Sequence, residues 1–187
     1  PAIAIRELVA NALIHQDMTI TGAGPLVEMF ADRLEITNPG QPLVQPERFL
    51  DFPPRSRNEA LAALMRRMRL CEEQGTGIDK VIVAVELHQL PPPDFRVEGD
   101  AVRAVLYAPR RFAEMTPQER VRACYQHAAL KYMSGQKMTN ATLRERFGIE
   151  PQNAAQASAV IRQALQAELI RAADPAYPRS GYVPFWA

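Results

Sequence analysis

The chain has 187 residues, 47 % of them hydrophobic, and a formal net charge of +1 at pH 7 that by itself indicates no partner. This length is comfortable for two small domains, and the apolar content is sufficient for a core in each. The sequence shows no apolar run long enough for a transmembrane helix and no signal peptide, which excludes a membrane-spanning protein from the expectations.

The cysteine and histidine content excludes two further classes. The two cysteines, Cys71 and Cys124, lie far apart without a CxxC motif, and the three histidines show no ligand spacing. We therefore predict neither a disulfide framework nor a zinc site, and a cytoplasmic location, where thiols stay reduced. Because the chain begins at Pro1 and runs directly into a helical pattern, we also expect a piece of a longer protein with a further N-terminal domain.

The first predicted elements are a helix and two strands. Residues 2–16 carry apolar side chains at helical spacing, and the segments LVEMFA and RLEIT alternate like two strands joined by a tight turn near Asp32. The sequence Asn38-Pro39-Gly40 is a strong stop after the second strand. The proline-rich residues 41–56 have no clear period, which is typical of a lid or binding loop.

Two more helices and a hairpin complete the predicted first domain. The helices cover residues 58–70 and the residues that follow Gly75-Thr76-Gly77, and the hairpin FRVEGDAVRAVLY turns at residues 98–100. The segment PRRFAEM is the best linker candidate. We therefore predict a mixed α/β domain over residues 1–112 and a second domain over residues 113–187.

The second domain begins with a strong helix-start signal. Thr116 can cap a helix with Pro117 at its first position, and Glu119 completes a capping box. A shorter helix follows the cap Thr139, and a longer helix covers about residues 154–168. Two short strands, LIRAA and GYVPFW, end the chain.

The charge is distributed unevenly between the two halves. Residues 116–187 hold nine Lys and Arg against five Asp and Glu, whereas residues 1–115 hold thirteen against sixteen. The C-terminal part is therefore the expected contact for a polyanion.

Glu7, Asn11 and His15 form the first candidate constellation, because their i, i+4, i+8 spacing places them within an arc of about 80° on one helix. A carboxylate and an amide in this arrangement can polarise a water and ligate Mg²⁺, which prefers oxygen ligands and shares them with phosphates. On spacing alone, an ordinary solvated face with His15 near the helix C-terminus is favoured.

Two glycine turns form the second constellation. Asn38-Pro39-Gly40 follows a strand and Gly75-Thr76-Gly77 precedes a helix, where backbone N–H groups and the helix N-terminus can hold phosphate oxygens. Lys80, one turn into that helix, could add a positive charge. A plain loop-to-helix turn capped by Thr76 is the alternative, because the sequence contains neither a P-loop nor GxGxxG.

Four segments in order, RELVANALIHQD, DRLEITNPG, RNEALA and EEQGTGIDKV, resemble the C-terminal ATPase-like domain of bacterial transcriptional regulators and RecG-related proteins. That domain is similar to the GHKL (Bergerat-like) ATP-binding fold of histidine kinases, gyrase and MutL. The resemblance covers residues 1–107 and implies an α/β sandwich in which ATP lies between the helices and a mixed sheet.

The resemblance also implies roles for individual residues. Asn11 would be the Mg²⁺ ligand and Glu7 the base that activates water. The turn at residues 38–40 would form the first glycine box, and the turn at residues 75–77 the second, which cradles the phosphates. The residues implied for the cofactor are Asn11, His15, Asn38, Gly40, Gly75, Thr76, Gly77 and Lys80.

The chain departs from the family pattern at three places, one of which is a short second glycine box. Asn38 stands near the position where typical members carry an aspartate that reads the adenine amino group, so the position keeps an acceptor but no charge. His15-Gln16-Asp17 replaces the more usual His-Arg-Asp and removes a cation. Arg57 and Asn58 match the family's arginine-asparagine motif, to which the sequence assigns no physical role.

The order helix, short helix, longer helix and two strands resembles a winged helix-turn-helix domain. The longer helix would be the recognition helix in a DNA major groove, since Gln and Asn can read adenine edges and Arg can read guanine. The last two helices would share a core formed by Leu143, Phe147, Ile149, Val160, Ile161 and Leu165. The candidate DNA-binding residues are Arg144, Arg146, Asn153, Gln156, Arg162, Arg171 and Arg179.

The sequence therefore predicts a transcriptional regulator in which a GHKL-like ATP-binding domain is coupled to a DNA-binding winged helix. Two alternatives stay open. One is an active ATPase that uses ATP and Mg²⁺, with Glu7 as the base. The other is a non-catalytic module for protein interaction or homodimer formation. The expected partners are DNA and a nucleotide. The chain contains none of the helicase motor motifs.

Overall fold

The computed structural model of the protein describes residues 1–53, 55–71, 77–178 and 180–187. These residues divide into two compact units, Pro1–His88 with Pro93–Ala108 and Gln89–Pro92 with Pro109–Ala187. Among the described residues there are six α-helices and two antiparallel sheets, which is a mixed α/β architecture. None of the helices in these ranges is long and apolar enough to cross a membrane.

The described part of the first unit combines three helices with a four-stranded sheet. The elements are α1 (Ala2–His15), β1 (Leu26–Met29), β2 (Arg33–Pro39), α2 (Glu59–Arg67), α3 (Gly77–Leu87), β3 (Asp94–Glu98) and β4 (Ala101–Tyr107). The strands lie in the order β1-β2-β4-β3 with every neighbour antiparallel, so both predicted strand pairs are present. Helix α1 packs against α3 and β2 and therefore covers one face of the sheet.

The two faces of this sheet differ in chemistry, because side chains alternate along each strand. Asn38 and Val102 are directly paired and share the face that α1 covers. The opposite face carries ion pairs, in which Glu35 accepts a hydrogen bond from Arg33 Nε at 2.6 Å and lies 3.0 Å from Arg103 Nη1. A cavity for a ligand is therefore expected on the uncharged face, which carries Asn38 and Val102.

The C-terminal end of α1 is held by a residue distant in the sequence. Asn58, immediately before α2, donates from Nδ2 to the carbonyl oxygens of Ile14 at 2.9 Å and Gln16 at 2.8 Å. Its backbone N–H also donates to Ile14. The last carbonyls of a helix lack intrahelical donors, so this amide caps α1 from another part of the chain. This contact gives the asparagine of the arginine-asparagine motif a physical role.

The second unit contains α4 (Pro117–Met133), α5 (Asn140–Phe147), α6 (Ala154–Gln166), β5 (Ile170–Ala172) and β6 (Tyr182–Pro184). The predicted helix starts are confirmed. Thr116 and Glu119 form a reciprocal capping box with Pro117 at the first position of α4, and Thr139 caps α5. The strands β5 and β6 pair antiparallel.

The helices of the second unit share one hydrophobic core. The sequence predicts Leu165 for this core, which is wrong: that side chain is 37 % exposed. The packed face of α6 continues from Ile161 to Ala164 and leaves the next position outside. The predicted core residues that are buried there are Leu143, Phe147, Ile149, Val160 and Ile161.

A short segment between α3 and β3 belongs to the second unit. The carbonyl oxygen of Leu90 accepts a hydrogen bond from Arg146 Nη2 at 2.7 Å, and Gln89 Nε2 donates to the carbonyl of Glu145 at 3.4 Å. The chain therefore enters the second unit at residue 89, returns to the first unit for β3 and β4, and enters the second unit again at residue 109.

Replacing Asn58 with alanine should destabilise the protein, because two carbonyls at the end of α1 lose their side-chain donor. A buried group left unsatisfied costs about 1–3 kcal/mol, and urea unfolding followed by circular dichroism measures this loss. Asn153→Ala is the matched control, since Asn153 is exposed and its side chain makes no capping hydrogen bond. Equal stability of the two variants would contradict the capping role.

Candidate functional site

A cavity of about 220 Å³ lies in the first unit, on the side of the sheet that α1 covers. Its walls come from α1, the end of β2, the loop that follows β2, and the start of α3. Among the described residues, the polar and charged side chains that line it are Glu7, Asn11, His15, Asn38, Gln41, Arg55, Ser56, Arg57 and Arg66.

Glu7 and Asn11 lie where α1 approaches the first residue of α3. Glu7 is 3 % exposed, and its Oε1 accepts a hydrogen bond from Arg6 Nη2 at 2.9 Å. This burial rules out an ordinary solvated face for the polar stripe of α1. A Cβ atom added to Gly77 would lie 3.4 Å from both Glu7 Oε2 and Asn11 Nδ2. The glycine therefore leaves open the space beside a carboxylate oxygen and an amide.

His15 lines the same cavity near the end of α1. Burial lowers the pKa of His15 from 6.5, and the positive charge of Arg57 lowers it further. The imidazole is therefore neutral at pH 7, with one nitrogen as a donor and the other as an acceptor. This environment therefore disfavours the positively charged form of His15, which would stabilise the helix dipole.

The turn that ends β2 is held by Asp17 and Arg57. Gly40 has φ +112°, and a Cβ there would lie 2.8 Å from Asp17 Cβ, so the turn requires glycine. The backbone N–H of Asp17 donates to the carbonyl of Pro39 at 2.8 Å. Arg57 donates from Nη1 to Asp17 Oδ2 at 3.0 Å and from Nη2 to the carbonyl of Gln41. The arginine of the motif thus ties the loop after α1 to the loop after β2.

Asn38 is the buried polar group at the sheet side of the cavity. Its side chain is 8 % exposed, and its Oδ1 accepts no hydrogen bond within the described part of the chain. Its directly opposite neighbour Val102 also lines the cavity. An unsatisfied buried acceptor costs roughly 1–3 kcal/mol, so a ligand that donates to this oxygen gains more than it would at the surface.

Residues 41–53 form an apolar wall. Phe49 packs edge-on against Phe95 of β3, with ring centroids 5.5 Å apart. The ring of Phe52 has two guanidinium groups near it, those of Arg48 at 5.7 Å and Arg55 at 5.3 Å. The proline-rich segment therefore lines the cavity.

The structure gathers most of the predicted cofactor residues, but not all. Lys80 is not among the residues that line the cavity. Gly75 and Thr76 lie outside the described residues. The predicted residues that do line the cavity are Glu7, Asn11, His15, Asn38, Gly40 and Gly77. The sequence analysis missed Phe49, Arg55, Arg66 and Phe95, which no motif marks.

Within the described ranges, no group of three or more His, Cys, Asp or Glu side chains is placed to hold a metal ion. Mg²⁺ commonly takes only one or two protein oxygens and completes its shell with phosphate and water. The oxygens of Glu7 and Asn11 would fit that pattern only together with a phosphate ligand.

The predicted DNA contacts of the second unit are not equivalent. Asn153, Gln156 and Arg162 are exposed at the start of α6 and along it. Arg146 is only 5 % exposed and donates to the carbonyl of Leu90. Its guanidinium is therefore inside the unit and not on the surface where a phosphate contact is predicted.

The other three predicted arginines differ again. Arg144 is half-buried and donates from Nε to Asn140 Oδ1 at 3.1 Å, so part of its donor capacity is used within α5. Arg171 of β5 is exposed and donates to the carbonyl of Ala187. Arg179 lies outside the described residues.

Residues 22–106 match the family model described as "Putative ATP-dependent DNA helicase recG C-terminal". The match is to an ATPase-like domain family and covers the four-stranded sheet, the apolar wall, α2 and α3. It does not include α1, which carries Glu7, Asn11 and His15. A search of curated proteins finds no match.

The fold is similar to that of a solved structure, the DIP2311 protein from Corynebacterium diphtheriae. The two share 24 % sequence identity with a TM-score of 0.57, over 98 % of this chain and 35 % of that chain. This chain therefore spans about a third of the length of DIP2311, and the likeness concerns the fold alone.

The charge state of Asp79 in α3 should make stability depend on pH. Burial raises the pKa of Asp79 to about 6, and its buried Oδ1 has no hydrogen-bond partner among the described residues. Between pH 3.8 and 6 the native state holds this proton more tightly than the unfolded chain, so this contribution to stability is lost as the pH rises. Asp79→Asn should raise the free energy of unfolding at pH 8 by on the order of 1 kcal/mol, a value discounted for partial exposure.

At pH 4, where Asp79 is protonated, the same substitution should change the stability little. Thermal unfolding at the two pH values measures the difference. Glu59→Gln is the control, since Glu59 is an exposed acid in the first turn of α2. An equal gain at both pH values would contradict the assignment.

Proposed function

We propose that the cavity of the first unit binds ATP in the manner of a GHKL domain, with the phosphates beside Glu7, Asn11 and Gly77. The observation that carries this proposal is that a buried carboxylate and an amide of α1 converge on the glycine that begins α3. A helix start offers backbone N–H groups and partial positive charge to a phosphate. The match of residues 22–106 to an ATPase-like family supports the same assignment.

The charges around the cavity also favour a phosphorylated ligand. Arg55, Arg57 and Arg66 line it, whereas Glu7 is the one carboxylate among the described lining residues. One oxygen of Glu7 is already paired with Arg6. A cavity with an excess of positive charge attracts anions and lowers the cost of desolvating them.

Mg²⁺ would be held by Asn11 Oδ1, with Glu7 nearby and the phosphates as the other ligands. The ion would supply charge neutralisation to the triphosphate. The protein's own contribution is to keep these two oxygens beside the open position at Gly77.

Binding should be visible as stabilisation. ATP with Mg²⁺ at 100 times its Kd should stabilise the protein by about 2.7 kcal/mol, measured as a rise in Tm. Asn11→Ala should weaken ATP binding by about tenfold or more in isothermal titration calorimetry, since it removes a polar partner of a charged ligand. Asn153→Ala, which removes an exposed amide in the second unit, should bind as the wild type does. The absence of any shift with millimolar ATP or a non-hydrolysable analogue would contradict the proposal.

Slow ATP hydrolysis is a second candidate activity, favoured by the burial of Glu7 with Oε2 on the side of Gly77. A carboxylate beside the phosphates can accept a proton from an attacking water. Glu7→Gln keeps the size of the side chain and should retain ATP affinity while it abolishes turnover. Turnover unchanged in this variant would remove Glu7 as the base.

The second unit, in this proposal, is a winged helix that binds DNA through α6, so that the whole chain acts as a nucleotide-dependent transcriptional regulator. Support comes from the order of α4, α5, α6, β5 and β6, and from Asn140, whose Nδ2 joins α5 to α6 through Ala154 O at 3.0 Å and Ser158 Oγ at 2.9 Å. The exposed Gln156 and Arg162 on α6 match side chains that read bases.

Arg162→Ala should weaken DNA binding by about 1–3 kcal/mol if the side chain contacts a base, or reduce the salt slope by about 1 if it contacts a phosphate. Fluorescence anisotropy over a range of salt concentrations distinguishes the two. Arg67→Ala is the matched control, because Arg67 is exposed at the end of α2 in the first unit. Affinity that does not depend on salt, or an equal loss in both variants, would argue against the proposal.

A further inference from the structure

The strand fixes the position of the Asn38 side chain, but no hydrogen bond within the described part of the chain fixes which end of its amide is the oxygen and which is the nitrogen. Strand β2 holds its backbone in register with Val102, and two residues later the N–H of Gly40 donates to the carbonyl of Asp100 at 2.7 Å. The amide is buried and lines the cavity, yet its Oδ1 accepts no hydrogen bond from any residue that the structure describes. No donor in those ranges therefore determines which end of the amide accepts and which donates.

The surroundings of this amide suit a flat ring with a polar edge. Val102 lies directly opposite on the same face, and the Cβ atoms of such a cross-strand pair are about 4.5–5.5 Å apart. Phe49 and Phe95 line the same cavity. A phosphate offers only acceptors and cannot satisfy Oδ1, whereas the edge of a nucleobase offers a donor and an acceptor side by side.

We propose that the Asn38 amide reads the edge of the base and that the site accepts adenine and guanine alike. This inference rests on the proposed nucleotide binding. Adenine presents an amino donor beside an acceptor nitrogen, and guanine presents a carbonyl acceptor beside an N–H donor. Rotation of a primary amide by about 180° exchanges its donor and its acceptor, so an amide without a fixed partner satisfies either edge.

A site with oriented polar groups rejects the wrong base, because a buried group is then left without a partner. Since Asn38 has no partner that orients it in the described chain, this penalty does not arise for either purine. The affinities of the whole chain for Mg–ATP and Mg–GTP should therefore lie within about tenfold of each other.

Isothermal titration of the whole chain with each nucleotide tests the inference. Asn38→Asp replaces the amide donor with a second acceptor, so the carboxylate still accepts from the donor of either base but opposes the acceptor beside it, the ring nitrogen of adenine or the carbonyl of guanine. Both ATP and GTP should therefore bind about tenfold or more weakly, with the ratio of their affinities little changed. Asn38→Ala should weaken both nucleotides by similar factors. Thr37→Val is the matched control: it removes a neighbouring buried oxygen that also has no partner in the described chain, on the opposite face of the sheet.

The outcomes separate this inference from the nucleotide site itself. If neither nucleotide binds the wild type, both are overturned. If ATP binds and GTP is weaker by about 100-fold or more, the ATP site stands and the relaxed choice of base is wrong. Unchanged affinities in folded Asn38→Asp or in folded Asn38→Ala remove Asn38 as the reader. If a variant fails to fold, the ratio of the wild-type affinities for ATP and GTP still tests whether the site accepts both bases.

Discussion

The C-terminal end of α1 is fastened by two adjacent side chains that come from the other side of the cavity. Asn58 caps the helix, and Arg57 binds Asp17 in the loop that follows it. These hydrogen bonds fix α1 relative to the end of β2, because Arg57 also holds the loop that leaves that strand. Together with the direct packing of α1 on β2, this connection holds Glu7 and Asn38 at their separation, so the geometry of the cavity depends in part on this pair of residues.

Some of the residues that line the cavity lie within the family match, and others are placed there only by the structure. The family match includes the sheet with Asn38 and the helix that begins at Gly77, whereas Glu7 and Asn11 lie before the matched residues. The close approach of α1 to Gly77 is what joins the two parts. The grouping of Glu7 and Asn11 with Gly77 therefore depends on the contact between α1 and α3, and neither helix provides it alone.

Local signals predicted most elements of this fold. The capping box at Thr116 and the turn at residues 98–100 between β3 and β4 act over a few residues, so their outcome does not depend on the rest of the chain. The buried position of Arg146 and the contact of Phe49 with Phe95 depend on segments far apart in the sequence, and no local pattern encodes them. Lys80 is a further example. The sequence predicts its helix correctly, but packing against α1 determines which residues of that helix meet the cavity.

The course of the chain through residues 89–92 has a consequence for any attempt to divide the protein. A fragment that ends at Ala108 would contain all four strands of the first sheet but would leave the carbonyl of Leu90 without the guanidinium of Arg146. A fragment that starts at Pro109 would carry a buried arginine without that acceptor. A cut after His88 keeps Leu90 with Arg146 but removes β3 and β4 from the first unit, so no single cut preserves both this hydrogen bond and the four-stranded sheet.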